Sequence, residues 1–439
     1  MSTIVRAADP ESPVRPESIE ETGLRFDLVV QLLLKALHSA GELVGTEMAD
    51  RLGLSFAVIE PAIDALKAQQ LCEIVGGSTI GPPSYRYRIT TMGRERALAA
   101  LAGSLYHGPA PVPVDQYRRY MAAFTAATAG RISPAMVRAA FSHLVLSDHV
   151  LNQLGPAVNS GHSLFVYGPP GNGKTVIAQA IGRLLEGEIW IPYALEVDGS
   201  IIQVFDPINH ERVPERGVRS AIETADPFDR RWMRCQRPTV TVGGELTMEE
   251  LDLSYSPVSG FYRAPMQVIA NGGVLVIDDF GRQKCSPREL LNRWIHPLES
   301  RVDYLTLQSG QKIDVPFNVL PVFATNIKPV ELVDEAFLRR IQYKVFAVNP
   351  TEDEFSQIFR GVCEERGVEF DPAIVRHLLD RVMKPRNIAM RGCHPRDLVG
   401  QSLSLAQYLD EPKRLTIPLL EAACATYFVD EEQGISAGN

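Results

Sequence analysis

The chain has 439 residues, 45% of them apolar and 22% charged, which excludes a mini-protein and a wholly disordered chain. Acidic residues outnumber basic ones, 53 against 44, for a net charge of −9. That balance argues against a global electrostatic grip on nucleic acid and leaves room only for a local basic patch. At roughly 100–200 residues per domain, two to four domains are expected.

Residues 1–22, with Pro10, Pro13 and Pro16 and several glutamates, read as a disordered tail. From Leu24 the apolar residues recur at three- and four-residue spacing and stop at Gly41, as in an amphipathic helix. Two further helices, capped by Thr46 and Ser55 and joined at Gly53, form a helix-turn-helix. Two alternating segments around the Gly76-Gly77 and Gly81-Pro82-Pro83 turns read as strands, and a last helix follows. Helices and a two-stranded wing predict a winged-helix (α+β) domain over residues 23–103. Residues 104–150 begin with the Pro-rich stretch YHGPAPVPVDQY and read as a linker and helical connector.

The strand-like HSLFVYG then runs into GPPGNGKT and the helix TVIAQAIGRLL, the opening βα unit of a parallel α/β sheet. GPPGNGKT is the phosphate-loop pattern G-x-x-x-x-G-K-[ST], comprising Gly168, Pro169, Pro170, Gly171, Asn172, Gly173, Lys174 and Thr175. Its glycines let backbone N–H groups approach phosphate, Lys174 neutralises the β and γ phosphates, and the Thr175 hydroxyl ligates magnesium. Later strand cores are VLVID and LPVFATN. The first ends in Asp278, suited to holding magnesium through water, and Asp279, which stands where a base for the attacking water belongs. Residues 350–430 are again helical, a lid, and 431–439 form a tail.

The ordered set GPPGNGKT, VLVIDD, FATN and EAFLRRI, followed by a helical region containing HPRDL, resembles the AAA+ ATPase superfamily over about residues 150 to 430. The resemblance implies a P-loop NTPase core (151–349) with a C-terminal helical lid (350–430), ATP and Mg2+ as cofactors, and a homo-oligomeric ring. It also implies that Asn326 is the sensor-1 polar residue and that Arg339 or Arg340 is an arginine finger completing a neighbour's site. Arg396 is then a sensor-2 arginine reaching the γ phosphate from the lid. Most relatives have glutamate at the position of Asp279. RVDYLTLQSGQKIDVPF alternates around Ser309-Gly310 as a β-hairpin before the sensor-1 strand. It resembles the pre-sensor-1 hairpin of the branch containing MoxR-type, sigma-54-activator and Mg-chelatase ATPases. The whole pattern resembles a group of bacterial ATP-binding proteins.

Lys174 and Asp278 lie 104 positions apart, an interval that implies an insertion. Within it, Arg230, Arg231, Arg234 and Arg237 cluster around Trp232, open to a reading as a nucleic-acid contact, a nucleotide contact across subunits, or a set of partners for acidic neighbours. Tyr255, Phe261 and Tyr262 in a Gly/Pro-containing loop are either pore-loop residues that grip polypeptide or packed aromatics. The would-be recognition helix carries Glu60, Pro61 and Asp64 against Lys67, a composition that favours a protein partner over DNA. Arg86, Arg88, Arg94 and Arg96 in and after the wing keep DNA open.

The six cysteines are scattered, with no C-x-x-C pair, as expected of buried thiols in a reducing compartment. No apolar run reaches the roughly 18 residues of a membrane span, and Met1 to Thr22 lacks the apolar core of a secretory signal. The expected protein is a cytoplasmic Mg-ATP-dependent ATPase that remodels or assembles a protein client recruited by the winged helix, without membrane insertion. The alternative is a nucleotide-gated switch or DNA-binding regulator with slow hydrolysis.

Overall fold

The computed structural model describes residues 12–77, 81–128, 130, 132–214, 227–333 and 335–428. Residues 1–11 of the expected tail 1–22, and the expected tail 431–439, lie outside the described residues. The chain is mixed α/β and divides into two compact units. One comprises Met1–Arg131, Leu185–Val276 and Arg282–Pro321, and the other Ile132–Leu184, Ile277–Gly281 and Val322–Asn439.

In the first unit, helices Phe26–Ala40, Gly45–Leu52, Phe56–Ala68 and Thr91–Gly103 accompany a three-stranded sheet among the described residues. Its order is Glu42–Val44, Tyr85–Ile89, Cys72–Gly77. The apolar stripe that the sequence spaces along Phe26–Ala40 is buried at Val29, Leu32, Leu33, Ala36 and Leu37, in one core with Ile59, Ile63 and Leu66 of the helix Phe56–Ala68. Burial of such a stripe is what holds a short helix in water.

The unit does not stop at residue 103. The expected linker is packed, with Tyr106, Ala110 and Val112 buried, and Val112–Pro113 pairs in parallel with Leu195 and Glu196. Its prolines end helices without preventing burial of the side chains between them.

Residues 12–22 depart from the expected tail in the same way. Ser18 caps a short helix Ile19–Thr22, Ile19 and Thr22 are buried, and Arg15 N donates to Pro227 O at 3.0 Å. A tail reading from proline and glutamate content misses the burial of Pro16, Ile19 and Thr22.

The four clustered arginines meet protein partners. Arg230 pairs with Asp50 at 2.7 Å, Arg234 with Glu188, and Arg237 donates to Gly272 O at 2.6 Å. Arg231 is fully buried and paired with buried Asp229 at 2.8 Å, and donates to the carbonyl oxygens of Thr22 and Pro111. One guanidinium thus ties the N-terminal segment, the expected linker and the insertion together. The aromatics are packed as well: Tyr262 is buried against Tyr255, its hydroxyl accepting from Gln308 N, and Phe261 meets Tyr106 edge-on. The hairpin Val302–Thr306 with Lys312–Pro316 is antiparallel, with Gly310 at φ +82° in its turn.

Among the described residues a parallel five-stranded sheet runs in the order Thr239–Val242, Val274–Ile277, Leu320–Thr325, Leu164–Tyr167, Tyr343–Phe346. Leu164–Tyr167 pairs in parallel with both of its neighbours, so the carboxyl ends of the last three strands fall together. The three inner strands are near-continuous buried apolar runs, as expected where both faces are covered.

In the second unit, helices Glu352–Arg366, Pro372–His377, Cys393–Tyr408 and Ile417–Tyr427 pack around Phe355, Phe359, Leu378, Leu398 and Leu420. No helix among the described residues is long and apolar enough to cross a membrane.

Removing Asp229 leaves Arg231 charged and unpaired in the core, so Asp229→Ala is expected to cost about 3–5 kcal/mol. Denaturant unfolding of the full chain checks this, and an unchanged midpoint would contradict the role given to the pair.

Candidate functional site

All the candidate site residues belong to the second unit. The buried strand Leu164–Tyr167 delivers the chain to Gly168, and the helix Lys174–Ile181 begins directly after the loop with Gly173 as its N-cap. Gly168, Gly171 and Gly173 have φ of +145°, +84° and +69°, values that side-chain-bearing residues rarely adopt. A Cβ on Gly168 would lie 2.5 Å from Ala347 O, and one on Gly171 would lie 2.5 Å from Cys393 Sγ. Glycine is therefore required there by close packing as well as by φ. The first-turn N–H groups of the helix lack intrahelical partners and offer themselves to an anion.

The loop is held from two sides. Cys393 N donates to Gly171 O at 2.8 Å and Gly392 N donates to Asn172 Oδ1 at 3.2 Å, both from the start of the helix Cys393–Tyr408. On the other side the Asn172 amide donates to Asn349 Oδ1 at 2.8 Å. Asn172, an unspecified position in the phosphate-loop pattern, thus fixes the loop's shape.

Lys174 is buried, and its Nζ donates to Pro169 O at 2.7 Å. Desolvation lowers its pKa, opposed by the nearby carboxylates of Asp279 and Asp278 and reinforced by Arg391. The Thr175 hydroxyl lies 2.8 and 2.9 Å from the two Asp278 carboxylate oxygens. A hydroxyl and a carboxylate in contact beside a lysine suit a hard, oxygen-preferring cation such as Mg2+.

Asp279 has φ +48°, and its Oδ1 accepts from Asn326 Nδ2 at 3.3 Å. Phe280 N donates to Ala324 O at 2.7 Å and Thr325 Oγ1 donates to Phe280 O at 2.7 Å, which lock the turn after Asp279 to the strand bearing Asn326. Asp tolerates the left-handed region better than Glu, which gives a local reason for the shorter acid at this position.

The arginines are placed differently from one another. Arg339 is exposed at the end of the helix Glu335–Arg340 and pairs with exposed Glu335 at 2.8 Å. Arg340 is half-buried, and its carbonyl oxygen accepts from Ser163 Oγ. Arg396, expected at the γ phosphate, is exposed and its Nε donates to Asp397 at 2.9 Å. It lines a cleft with Arg366, Gln401 and Thr426, between the helices Cys393–Tyr408 and Ile417–Tyr427. Arg391, which sequence reasoning passed over, lies against the loop: its Cδ is 3.5 Å from the point a Cβ on Gly171 would occupy. The signal for it was weak, a charge just ahead of the Gly-Cys-His-Pro turn that starts the helix Cys393–Tyr408.

His394 is buried between Tyr427 and Phe428, edge-on to both, and its Nδ1 accepts from Arg391 N at 3.3 Å. Burial, helped by Arg391, pushes its pKa from 6.5 down to about 4. Beside the loop, Val150, Ile177, Val348 and Ile358 line a small apolar pocket that also takes in Asn172 and Glu354.

Comparisons with known proteins add the following. A family model described as a domain of unknown function, DUF8689, matches residues 351–426. No curated protein matches the chain. Among solved structures, NtrX from Brucella abortus is 17% identical with a TM-score of 0.41, over 68% of this chain. The chain spans 60% of the length of that NtrX structure. The RuvB Holliday junction branch migration motor of Thermotoga maritima is 15% identical with a TM-score of 0.37, over 65% of this chain and 71% of that one.

Two outcomes follow from this geometry. Because folded His394 protonates only near pH 4 while an unfolded histidine does so near 6.5, the unfolded chain binds more protons in that window. His394 therefore contributes a loss of stability as pH falls from about 6.5 toward 4, and His394→Asn should flatten that slope in denaturant titrations at several pH values. An unaltered slope would contradict a buried neutral imidazole. Gly168→Ala should destabilise the second unit by at least about 1 kcal/mol through backbone strain and the clash with Ala347; an unchanged unfolding midpoint would show that the loop can move away.

Proposed function

We propose that the chain is an Mg-ATP-dependent ATPase of the AAA+ type that assembles with copies of itself and acts on a protein client. The observation that carries this reading is the phosphate loop built at the carboxyl end of a central parallel strand, with the Thr175 hydroxyl already against Asp278. Thr175 and Asp278 would hold magnesium, directly and through water, and Lys174 would release Pro169 O to neutralise phosphate oxygens. Magnesium, when bound with the nucleotide, supplies charge neutralisation on the phosphoryl oxygens. Asp279 would accept the proton of an attacking water, with Asn326 orienting both. The pocket beside the loop would take the adenine ring.

Of the two finger candidates, Arg339 is the one whose exposed guanidinium can reach a neighbouring copy, and its exposed ion pair with Glu335 costs little to break. An arginine supplied in trans couples turnover to assembly, and a ring is the closed form of such a head-to-tail contact. We assign residues 23–103 to a winged helix that recruits the client. Protein rather than DNA is favoured because the helix Phe56–Ala68 carries Glu60 and Asp64 against Lys67, and because Glu42 pairs with both Arg86 and Arg88 and offsets part of the wing's positive charge. Six free thiols, five of them buried, support a reducing, cytoplasmic setting.

A second reading is supported by Asp279, whose short side chain is held by Asn326: a nucleotide-gated switch, or DNA-binding regulator, that binds ATP and hydrolyses it slowly. ATP turnover measured against protein concentration, with mass determined in parallel, separates the two. The ATPase reading expects specific activity to rise as oligomers form, and Arg339→Ala to lower turnover roughly a thousandfold while sparing nucleotide binding. Lys174→Ala should abolish binding. Tight binding and assembly with almost no turnover would replace the motor by the switch. Normal hydrolysis by both Arg339→Ala and Arg340→Ala would end the shared-site reading.

A further inference from the structure

The helix Thr91–Gly103 reverses the usual arrangement of apolar side chains. It buries its small residues Gly93 and Ala97, and a Cβ on Gly93 would lie 2.0 Å from Leu71 O. Met92 and Leu98 are turned outward, 48% and 57% exposed, and Ala99 and Ala102 are exposed beside them. A helix held only by its own core contacts places its leucines on the buried face.

The exposed apolar surface continues past the end of the helix. Leu105 is 42% exposed, and its N–H donates to Ser259 O at 2.7 Å. A Cβ on Gly260 would lie 2.5 Å from Gly103 O, so the turn 256–260 is seated directly against the helix end. Gly260 N closes that turn by donating to Ser256 O at 2.8 Å, and Val258 at its tip is 86% exposed. The aromatics on either side of the turn are packed, which leaves its apolar tip held out in solvent by a fixed base. Adjoining apolar groups displayed in this way mark an interaction surface.

The neighbouring charges select the occupant. Residues 85–107 contain four arginines and one acid, Glu95, in a chain whose net charge is −9. Arg86 and Arg88 share Glu42, and Glu73 stands opposite Arg88 in the sheet. Arg94 and Arg96 are exposed on the helix, and no ion pair to either is found among the described residues. The surface is therefore cationic near the start of the helix and apolar toward its end, about 12 Å from Arg94 to Ala102 at 1.5 Å per residue. A nucleic acid backbone satisfies the arginines and leaves Leu98, Leu105 and Val258 without a counterpart. A protein segment that joins carboxylates to apolar residues satisfies both ends.

We propose that Arg94, Arg96, Leu98, Ala102, Leu105 and Val258 form the docking surface for a protein client, and that the element docked there is an amphipathic helix of about three turns, acidic at one end and apolar at the other. The proposal rests on the reading of residues 23–103 as the client-recruiting domain, and it adds the turn 256–260 of the insertion to that domain's binding face.

The probe is a library of random peptides of about 16 residues, long enough for such a helix, displayed on phage and selected on the immobilised full chain. Enriched peptides are expected to combine Asp or Glu with Leu, Ile or Phe at helical spacing. In fluorescence anisotropy with an enriched peptide, Leu98→Ser should weaken binding at least about tenfold, as should the joint change Arg94→Glu and Arg96→Glu. The arginine effect should shrink at high salt while the leucine effect persists. Selection repeated on the doubly reversed chain should return Lys or Arg in place of the acids. All these positions are exposed, and an unchanged unfolding midpoint reports that each variant folds.

A selection that enriches no peptide would overturn the inference. Peptides bound equally by the wild type and the variants would also overturn it, while client recruitment stood through another surface. Self-association of the chain that Leu98→Ser abolishes would give the surface to a second copy, again overturning the inference. A DNA duplex bound by the wild type, lost on Arg94→Glu with Arg96→Glu and kept by Leu98→Ser, would remove the client reading itself and the inference with it.

Discussion

The candidate site depends on one constraint, the shape of the backbone from Gly168 to Gly173. A phosphate group would be gripped there by peptide N–H groups, and the loop holds positive φ angles that unfolded chains rarely visit. Glycine alone permits that shape without enforcing it. Enforcement comes from outside the loop, where Asn172 reaches Asn349 on one side and the Gly171 and Asn172 oxygens accept from Cys393 and Gly392 on the other. The helical region is thereby bonded to the loop that would hold the nucleotide. A change at either end is transmitted through a few short hydrogen bonds, which is the kind of coupling a nucleotide-driven cycle requires.

The first unit solves a different problem, that of joining chain segments far apart in sequence. Its solution is buried charge: Arg231 with Asp229, and Lys35 donating to the carbonyl oxygens of Ser104 and Tyr106. Such groups are costly to bury and tolerable only when every donor is matched. Once matched, they specify which segments meet. The segment we assign as a winged helix is consequently packed with its own linker and with the insertion, and Arg86 and Arg88 share Glu42 as an internal partner.

Much of this was legible in sequence because it rests on local rules. The phosphate-loop spacing, the acidic strand end, the hairpin around Ser309-Gly310 and the lid helices follow from glycine placement and from apolar periods of two and 3.6. The described tail segment 12–22 was not legible, since proline and glutamate content outweighs a few buried side chains such as Ile19 and Thr22. The arginine cluster around Trp232 left its partners open, because Asp50, Glu188 and Asp229 are supplied by tertiary contacts. Arg396 was singled out by its Pro395 and a family pattern, whereas in the structure it turns to its neighbour Asp397. Side-chain direction at a helix start is set by packing, and the one-dimensional pattern does not carry it.

The central claim is that a Mg-nucleotide sits on the Gly168–Thr175 loop and engages the start of the helix Cys393–Tyr408. Amide hydrogen exchange of the full chain with and without Mg-ATP tests it at the residues concerned. The account predicts slowed exchange across Gly168–Ile181 and across Arg391–Asp397. Protection confined to other segments, or no change at the loop at saturating Mg-ATP, would contradict it.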